Sequence, residues 1–304
     1  MESWKSPHGR KLPLPGARTL LMGVLNVTPD SFSDGGQFSS MEHIVQRAAA
    51  LIEGGADVID LGGESTRPSA LPISAEEELS RVLPVLHALR QRWPELPISI
   101  DTYKFEVADI AVREGADIVN DVWGLMHGVD LEDRSRWRTH AVAMTLPSAA
   151  TIPAMAAVVA RRGCPVIVMH NRPDRSYTDF VSDVVIDLQM SLLAARMAGI
   201  EPGQLWLDPG FGFAKNVPQN LEVLRQLHRI CALGHPVLVG TSRKSTIGAV
   251  LGSDVSNRVD GGGATVVWSI QQGCSMIRVH DIREMARFAR MADAIKAGLN
   301  YRSG

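Results

Sequence analysis

Short apolar runs alternate with longer amphipathic stretches along the whole chain. Eight runs have strand length: 19–27, 57–62, 97–101, 117–121, 165–170, 205–208, 236–240 and 276–280. Most are continuous in Val, Ile and Leu, as expected of parallel strands covered on their faces. Between them the spacing predicts helices over 42–53, 74–93, 104–114, 152–162, 179–198, 220–233, 260–272 and 283–299. Ser74 and Glu77 form a capping-box pattern, and Pro84 predicts a kink in the helix that follows. A phrase of helix, glycine and strand recurs as EGGADVID, EGADIVND, RRGCPVIV, LGHPVLV and QQGCSMIRV. Its glycine suits the left-handed cap that ends a helix. Strand and helix alternating eight times predict an α/β chain with a single-domain (β/α)8 TIM barrel over 19–304, preceded by an N-terminal extension of 1–18. An open doubly wound sheet is the alternative, but it more often has about five to seven strands and a Gly-rich first turn. No GxGxxG follows the first strand and no Walker A sequence occurs.

One spacing is irregular. After Asn120-Asp121-Val122-Trp123-Gly124 about 25 residues pass before the next predicted helix, whereas βα loops run to roughly 2–6 residues. We therefore expect an insertion at about 126–150, carrying the charge cluster DLEDRSRWR at 130–138 and reading as a solvated excursion from a strand end.

Composition narrows the classes. At 45% hydrophobic and 21% charged residues the chain reads as globular, and a net charge of -2 gives no general attraction to nucleic acid or an anionic membrane. No apolar run approaches the roughly 20 residues of a bilayer span. Basic residues precede the 19–27 run, but prolines intervene and no small-residue cleavage site follows, so a cytoplasmic protein is expected. Cys164, Cys231 and Cys274 are isolated, which predicts neither a disulfide framework nor a zinc site. Cys164 and Cys274 read as small core residues.

The chemistry collects where strands end. The stretch MGVLNVTPDSFSDGG at 22–36 begins as a strand and pours into a polar, Pro- and Gly-containing loop, with Asn26 at the junction. The other strand ends carry Glu64-Ser65-Thr66-Arg67, Asp101, Asn120-Asp121, His170-Asn171-Arg172, Asp208, Ser242-Arg243-Lys244 and Arg278, His280 and Asp281. A lone strand-end Asp is often a helix cap and a lone Arg a surface ion pair. Polar groups at all eight ends of a parallel barrel, above apolar strands, describe a site. Arg67, Arg278 and His280 suit a phosphate or diphosphate. Asn26 offers a neutral oxygen to a Mg²⁺ shell completed by water and phosphate. Asp101, Asn120 and Asp208 need donors if buried. A flat heterocycle with adjacent N–H groups would supply them, and Lys244 could offset the charge. Phe213, on a Gly-flexed loop, could pack on a second ring or simply cover the rim.

These residues fall in runs that resemble dihydropteroate synthases from about residue 19 to 297: MGVLNVTPDSFSDGG, GADVIDLGGESTRPSA, ISIDTYK, ADIVNDVWG, VIVMHNR, LDPGFGFAK, VGTSRKS and IRVHD. The first two and the Ser-Arg-Lys run are the specific ones. The resemblance implies a transferase of folate biosynthesis that joins 6-hydroxymethyl-7,8-dihydropterin diphosphate to 4-aminobenzoate. It implies a pterin site of Asp101, Asn120, Met169, Asp208, Gly240 and Lys244, and a diphosphate and Mg²⁺ site of Asn26, Thr66, Arg67, Arg278 and His280. Phe32, Thr66, Pro68, Phe213, Ser242 and Arg243 would form the 4-aminobenzoate pocket. Catalytic roles would fall to Asp34, Arg67 and Lys244, with loops closing over a pterin-methyl cation after diphosphate departs. The family's usual homodimer is expected too, and the apolar stripe of 283–299 would suit an interface or barrel packing. The insertion at 126–150 is the departure from the family.

Three rivals are weighed. A pterin-binding methyltransferase domain has no use for the Ser-Arg-Lys run or the long first loop. A non-catalytic pterin-binding paralogue would be marked by lost loop residues, yet Thr28, Asp30, Asp34, Thr66, Arg67 and Lys244 all stand. A phosphosugar-type barrel enzyme would want a Gly-rich phosphate loop after the seventh strand.

Overall fold

The computed structural model describes residues 4–16, 18–27, 36–65, 71–146 and 151–302. Each apolar run becomes a parallel strand: β1 (Leu20–Asn26), β2 (Val58–Gly62), β3 (Ile98–Asp101), β4 (Ile118–Asp121), β5 (Val166–Met169), β6 (Leu205–Asp208), β7 (Leu238–Val239) and β8 (Met276–Val279). Pairing follows the order β6-β5-β4-β3-β2-β1-β8-β7. A parallel bridge from Leu207 to Val237 joins β6 to β7, so the sheet curls into the expected (β/α)8 barrel.

The helices are α1 (Gly36–Glu53), α2 (Ala75–Arg92), α3 (Phe105–Arg113), α4 (Leu131–Ala143), α5 (Ala154–Arg162), α6 (Phe180–Ala198), α7 (Val217–Arg225), α8 (Leu227–Cys231), α9 (Ser245–Leu251), α10 (Val259–Gln271) and α11 (Ile282–Ala297). At the start of α2, Ser74 accepts the Glu77 N–H at 3.1 Å, and the helix continues through Pro84 to Arg92. The single helix expected over 220–233 is instead α7 and α8. It begins earlier because Asn216 and Gln219 cap each other's backbone reciprocally. The short α9 was not predicted.

Register explains where the site lies. Residues two apart on a strand share a face, so Met22, Val58, Ile118, Ile167, Trp206, Leu238 and Met276 meet in an apolar layer inside the barrel. One step toward the C-terminal ends, the same faces carry Asp60, Asn120, Met169, Asp208, Gly240 and Arg278. Pairings of Gly62 with Asp101, Asp101 with Asn120 and Met169 with Asp208 bring those strand ends level. The other faces, among them Leu25, Leu61, Ile100, Val119, Val168, Leu207 and Val239, pack against the helices in the main core. Cys164 and Cys274 are buried thiols, as expected.

The N-terminal extension is part of this architecture. Trp4 and Leu12 join the apolar interior layer, with the Trp4 ring 5.0 Å from that of Trp206. Polar anchors flank it: Ser6 Oγ donates to Asp117 at 2.5 Å, and Arg10 Nε reaches the same carboxylate at 2.8 Å. Residues 4–12 thus stopper the end of the barrel opposite the site.

The charge-rich segment after β4 is a correction. It forms α4, with Asp130 capping the Asp133 N–H at 2.8 Å. Trp137, 1% exposed, packs with Met126 and Ala141 against Met190 and Ala194 of α6. Arg138 pairs with Asp183 and with Asp187 at 2.9 Å. Spacing of Trp137 and Ala141 at i and i+4 gives the helix one buried edge, which is enough to dock it. Its opposite face, with Glu132, Ser135, Arg136 and Thr139, and its end from Val142 to Leu146 stay in solvent.

Candidate active site

Polar side chains converge at the C-terminal mouth of the barrel because four strands end on them. Asp101 closes β3, Asp208 closes β6, and Asn120 lies one residue before the end of β4; Arg278 rises from β8. They line a narrow cleft with Val122, Met169, Phe211, Phe213, Gly240 and Lys244. The floor is an ion-pair network. Arg278 Nε donates to Asp60 Oδ2 at 2.6 Å, and its Nη2 donates to Asp101 Oδ2 at 2.6 Å. Asn120 Nδ2 donates to Asp60 Oδ2 at 3.1 Å. Two carboxylates on one guanidinium hold Arg278 firmly charged, its pKa raised despite burial.

Asp60 was missed in the sequence. It sits mid-strand, fully buried, where an apolar side chain is expected. The available signal was its parity: it shares the inward face of Val58 and Gly62.

Burial dominates the electrostatics. It raises Asp101 to about 7, against the pull of Arg278, and Asp208 to about 6, against the Gly210 N–H that donates to its Oδ1 at 2.7 Å. Burial and Arg278 lower Lys244 to about 8, while Asp208 and Asp101 resist. Lys244 Nζ stands 4.2 Å from the centre of the Phe213 ring. Asp101 Oδ1 is buried without a hydrogen-bond partner among the described residues. The cleft therefore presents carboxylate oxygens wanting N–H donors, a cation, and a ring at the rim.

Beside it, His280 Nδ1 lies 3.0 Å from Ser242 Oγ, which also accepts the His280 N–H at 3.2 Å. Burial and the charge of Arg278 lower His280 to about 3, so it is neutral. Arg243 pairs with Asp281, its Nε donating at 3.1 Å. Asn26 is exposed at the end of β1. A side chain on Gly62 would come 3.4 Å from Asn26 Oδ1 and 3.6 Å from Asp101 Oδ2.

Comparison with known proteins decides the family. Residues 22–280 match the family described as pterin binding enzyme. A dihydropteroate synthase from Bacillus subtilis (strain 168) is 44% identical over 286 residues, covering 93% of this chain and 92% of that protein. The chain belongs to the dihydropteroate synthase family. A crystal structure of the Clostridium difficile dihydropteroate synthase in the presence of pteroic acid superposes with a TM-score of 0.82 at 42% identity, covering 93% of this chain and 99% of that one. The Xanthomonas albilineans dihydropteroate synthase with 4-aminobenzoic acid gives 0.80 at 39% identity, covering 92% and 94%.

Within this dihydropteroate synthase family fold, the structure gathers Asp101, Asn120, Met169, Asp208, Gly240 and Lys244 into one cleft with Phe213 and Arg278. Arg278, expected on the diphosphate, spans the cleft floor between Asp60 and Asp101. Ser242 and Arg243 sit against His280 and Asp281 on the adjoining rim. Phe32, Asp34, Thr66, Arg67 and Pro68 lie outside the described residues. Two strand-end groups prove structural. Asp121 accepts the Trp123 and Leu125 N–H groups at 2.8 and 2.7 Å, and His170 faces Asp187 and Lys215 rather than the cleft. A further cluster went unread: Lys104 joins Glu64 and Glu78, and Tyr103 donates to Glu64 at 3.0 Å. It anchors the chain where it leaves β2.

Proposed function

We propose that this cleft holds the pterin of 6-hydroxymethyl-7,8-dihydropterin diphosphate through Asp101, Asn120, Asp208 and Lys244, between Met169 and Gly240. The observation that carries this reading is the pair of buried carboxylates with raised pKa values, one with an orphaned oxygen, aimed at a single space. N–H groups of a pterin ring answer that need. Ring nitrogens donating to them would pull both groups back toward ordinary carboxylate values.

Chemistry is the joining of that pterin to 4-aminobenzoate, giving 7,8-dihydropteroate and diphosphate. In our reading the methylene C–O bond breaks first, and diphosphate leaves with the electron pair. The arylamine lone pair then attacks the resulting pterin-methyl cation, and the new C–N bond forms as the nitrogen loses a proton. No strong base is needed, because the amine is a neutral nucleophile. The protein stabilises charge that develops on the leaving group and on the cation, which is electrostatic preorganisation. Asn26, Arg278 and His280 form the diphosphate side, and Phe213, Ser242 and Arg243 form the 4-aminobenzoate side.

Among the described residues no group of three His, Cys, Asp or Glu could hold a metal on its own. A single neutral oxygen on Asn26 nevertheless fits Mg²⁺ carried in by diphosphate and water, the hard-oxygen shell that this ion prefers. When bound, Mg²⁺ would neutralise charge on the leaving diphosphate.

We also propose a cytoplasmic homodimer. Three free thiols suit a reducing compartment, and no helix among the described residues is long and apolar enough to cross a membrane. α11 buries Ile282, Met285 and Ala289 yet leaves Met291 and Ile295 more than 60% exposed, a second apolar face for a partner copy. The deciding experiment measures diphosphate release from the pterin diphosphate, with and without 4-aminobenzoate, in Mg²⁺ and in EDTA. Release coupled to dihydropteroate and abolished by chelation supports the reading; tight pterin binding without coupled product overturns it.

A further inference from the structure

The segment that follows β6 carries Phe213, and its shape is held from behind by groups that never face the cleft. Lys215 is buried, and its ammonium meets three acceptors: His170 Nδ1 at 2.7 Å, the Gly210 carbonyl at 3.0 Å and the Phe213 carbonyl at 3.1 Å. Burial lowers Lys215 to about 7 while Asp208 and Asp187 resist, and the three acceptors around its nitrogen match the three protons of the ammonium form. His170 can accept only because its other nitrogen, Nε2, lies 3.1 Å from Asp187 Oδ2, which keeps the ring proton there. Asp187 is fixed in turn by Arg172 at 2.5 Å and by Arg138 of α4 at 2.9 Å. The next carbonyl is held as well, since Tyr177 Oη donates to Ala214 O at 2.9 Å.

These holds oppose real strain. Ala214 has φ +47 although it carries a Cβ. Gly210, at φ +68, could not be any other residue: a Cβ there would lie 1.9 Å from the His170 carbonyl oxygen. On the cleft side, Gly212 donates to Asn220 Oδ1 at 2.7 Å, and a Cβ on it would meet Lys244 Cδ at 3.0 Å. The turn is drawn inward until Phe213 lies under the Lys244 ammonium.

We propose that Lys215 and Tyr177 are positioning residues that set the 4-aminobenzoate side of the site by fixing the carbonyls of Gly210, Phe213 and Ala214, and with them the Phe213 ring. The proposal rests on the assignment of Phe213 to that pocket. Neither residue touches the cleft. Asp208 is held mainly by β6, with the Gly210 N–H on its Oδ1. The Lys215 charge also acts on it, so loss of that charge moves the pterin side less than the aromatic side, and Tyr177→Phe, which keeps the charge, moves it least.

The test compares steady-state kinetics of Lys215→Met, Tyr177→Phe and Phe213→Ala in the full-length enzyme, each shown to be folded by circular dichroism. Lys215→Met raises KM for 4-aminobenzoate at least tenfold and that for the pterin diphosphate less than threefold; Tyr177→Phe shows the same split at three- to fivefold. In a Phe213→Ala background, adding Lys215→Met changes the 4-aminobenzoate KM less than twofold, because the ring through which it acts is gone. Equal effects on both substrates, or multiplicative effects in the double variant, overturn the proposal and leave Phe213 in its pocket. An unchanged 4-aminobenzoate KM in Phe213→Ala alone overturns the pocket assignment itself. Should Lys215→Met not fold, Tyr177→Phe decides alone: the split supports the proposal and its absence overturns it.

Discussion

Replacing Asp208 by Asn should stabilise the unliganded protein while destroying its grip on the pterin. Asp208 is 6% exposed, and burial lifts its carboxyl from an ordinary 3.8 to about 6. Because the folded carboxyl holds its proton more tightly than the unfolded one, the folded state binds more protons between about pH 4 and 6. Stability therefore falls as pH rises through that window. Above it the ionised group costs about 3 kcal/mol, from roughly two pH units at 1.36 kcal/mol each. The substitution removes the charge and keeps an oxygen for the Gly210 N–H. Lys244 then loses a counter-charge and drops further below its value of about 8, which trims the gain to about 2–3 kcal/mol, or on the order of 5 °C in Tm.

Thermal unfolding of D208N and the parent, without ligand, from pH 4 to 8 measures this. The two curves should meet near pH 4 and separate fully by pH 7, with the variant the more stable. Pterin titrated into each at pH 7.5 should stabilise the parent and leave D208N nearly unmoved. A variant no more stable at pH 7.5, or a difference equal at pH 4 and pH 8, would refute the claim that burial of this charge is the cost of the site.

Other perturbations separate the parts. Trp4→Ala opens the stopper and should cost about 3–5 kcal/mol in chemical denaturation while kcat/KM at 20 °C stays within twofold, since the barrel's other end does the chemistry. Asp60→Asn leaves Arg278 with one carboxylate and should cost about 3 kcal/mol by the same assay, together with a large rise in the pterin KM. Asn26→Ala should raise the Mg²⁺ concentration needed for half-maximal rate at least fivefold, read by titrating metal into the chelated enzyme, with the 4-aminobenzoate KM unmoved.

Much of this was legible before any coordinates. Helix, glycine and strand repeat so plainly that eight parallel strands follow, and a parallel barrel puts its strand ends on one face. Asp101, Asn120, Asp208 and Lys244 were read from those ends and share one cleft. What escaped did so for separate reasons. Treating each strand as a continuous apolar run ignores that a barrel strand has an inside, and Asp60 was lost in the run that holds it. The stopper was illegible for another reason: Trp4 and Leu12 sit in a stretch of basic residues, Pro and Gly with no period, and only tertiary packing gives them a place. In α4 the charges at 130–138 outweighed the two-position edge of Trp137 and Ala141, although Asp130 before Leu131 was a readable cap.

The period of two also explains why the site and the stopper coexist in so small a space. Val58 and Asp60 stand on one face of one strand; Met276 and Arg278 do so on another. Each pair is an apolar residue followed, two positions later, by a charge, and the step from one to the other is a step of about 7 Å along the strand. Below it, Trp4 and Trp206 exclude water from the interior. Above it, that dry wall makes each charge costly, so Asp60 and Asp101 must share Arg278 and Asp208 must hold its proton more tightly. The apolar layer is thus the reason the carboxylates above it are poised for a ligand's N–H groups. Widening that layer with Trp206→Ala should therefore let water in beneath the floor and move the Asp208 titration, followed by carboxyl carbon chemical shift in the unliganded protein, back from about 6 toward 4. A titration that does not move would mean that this apolar layer is not what holds the Asp208 carboxyl above its ordinary value.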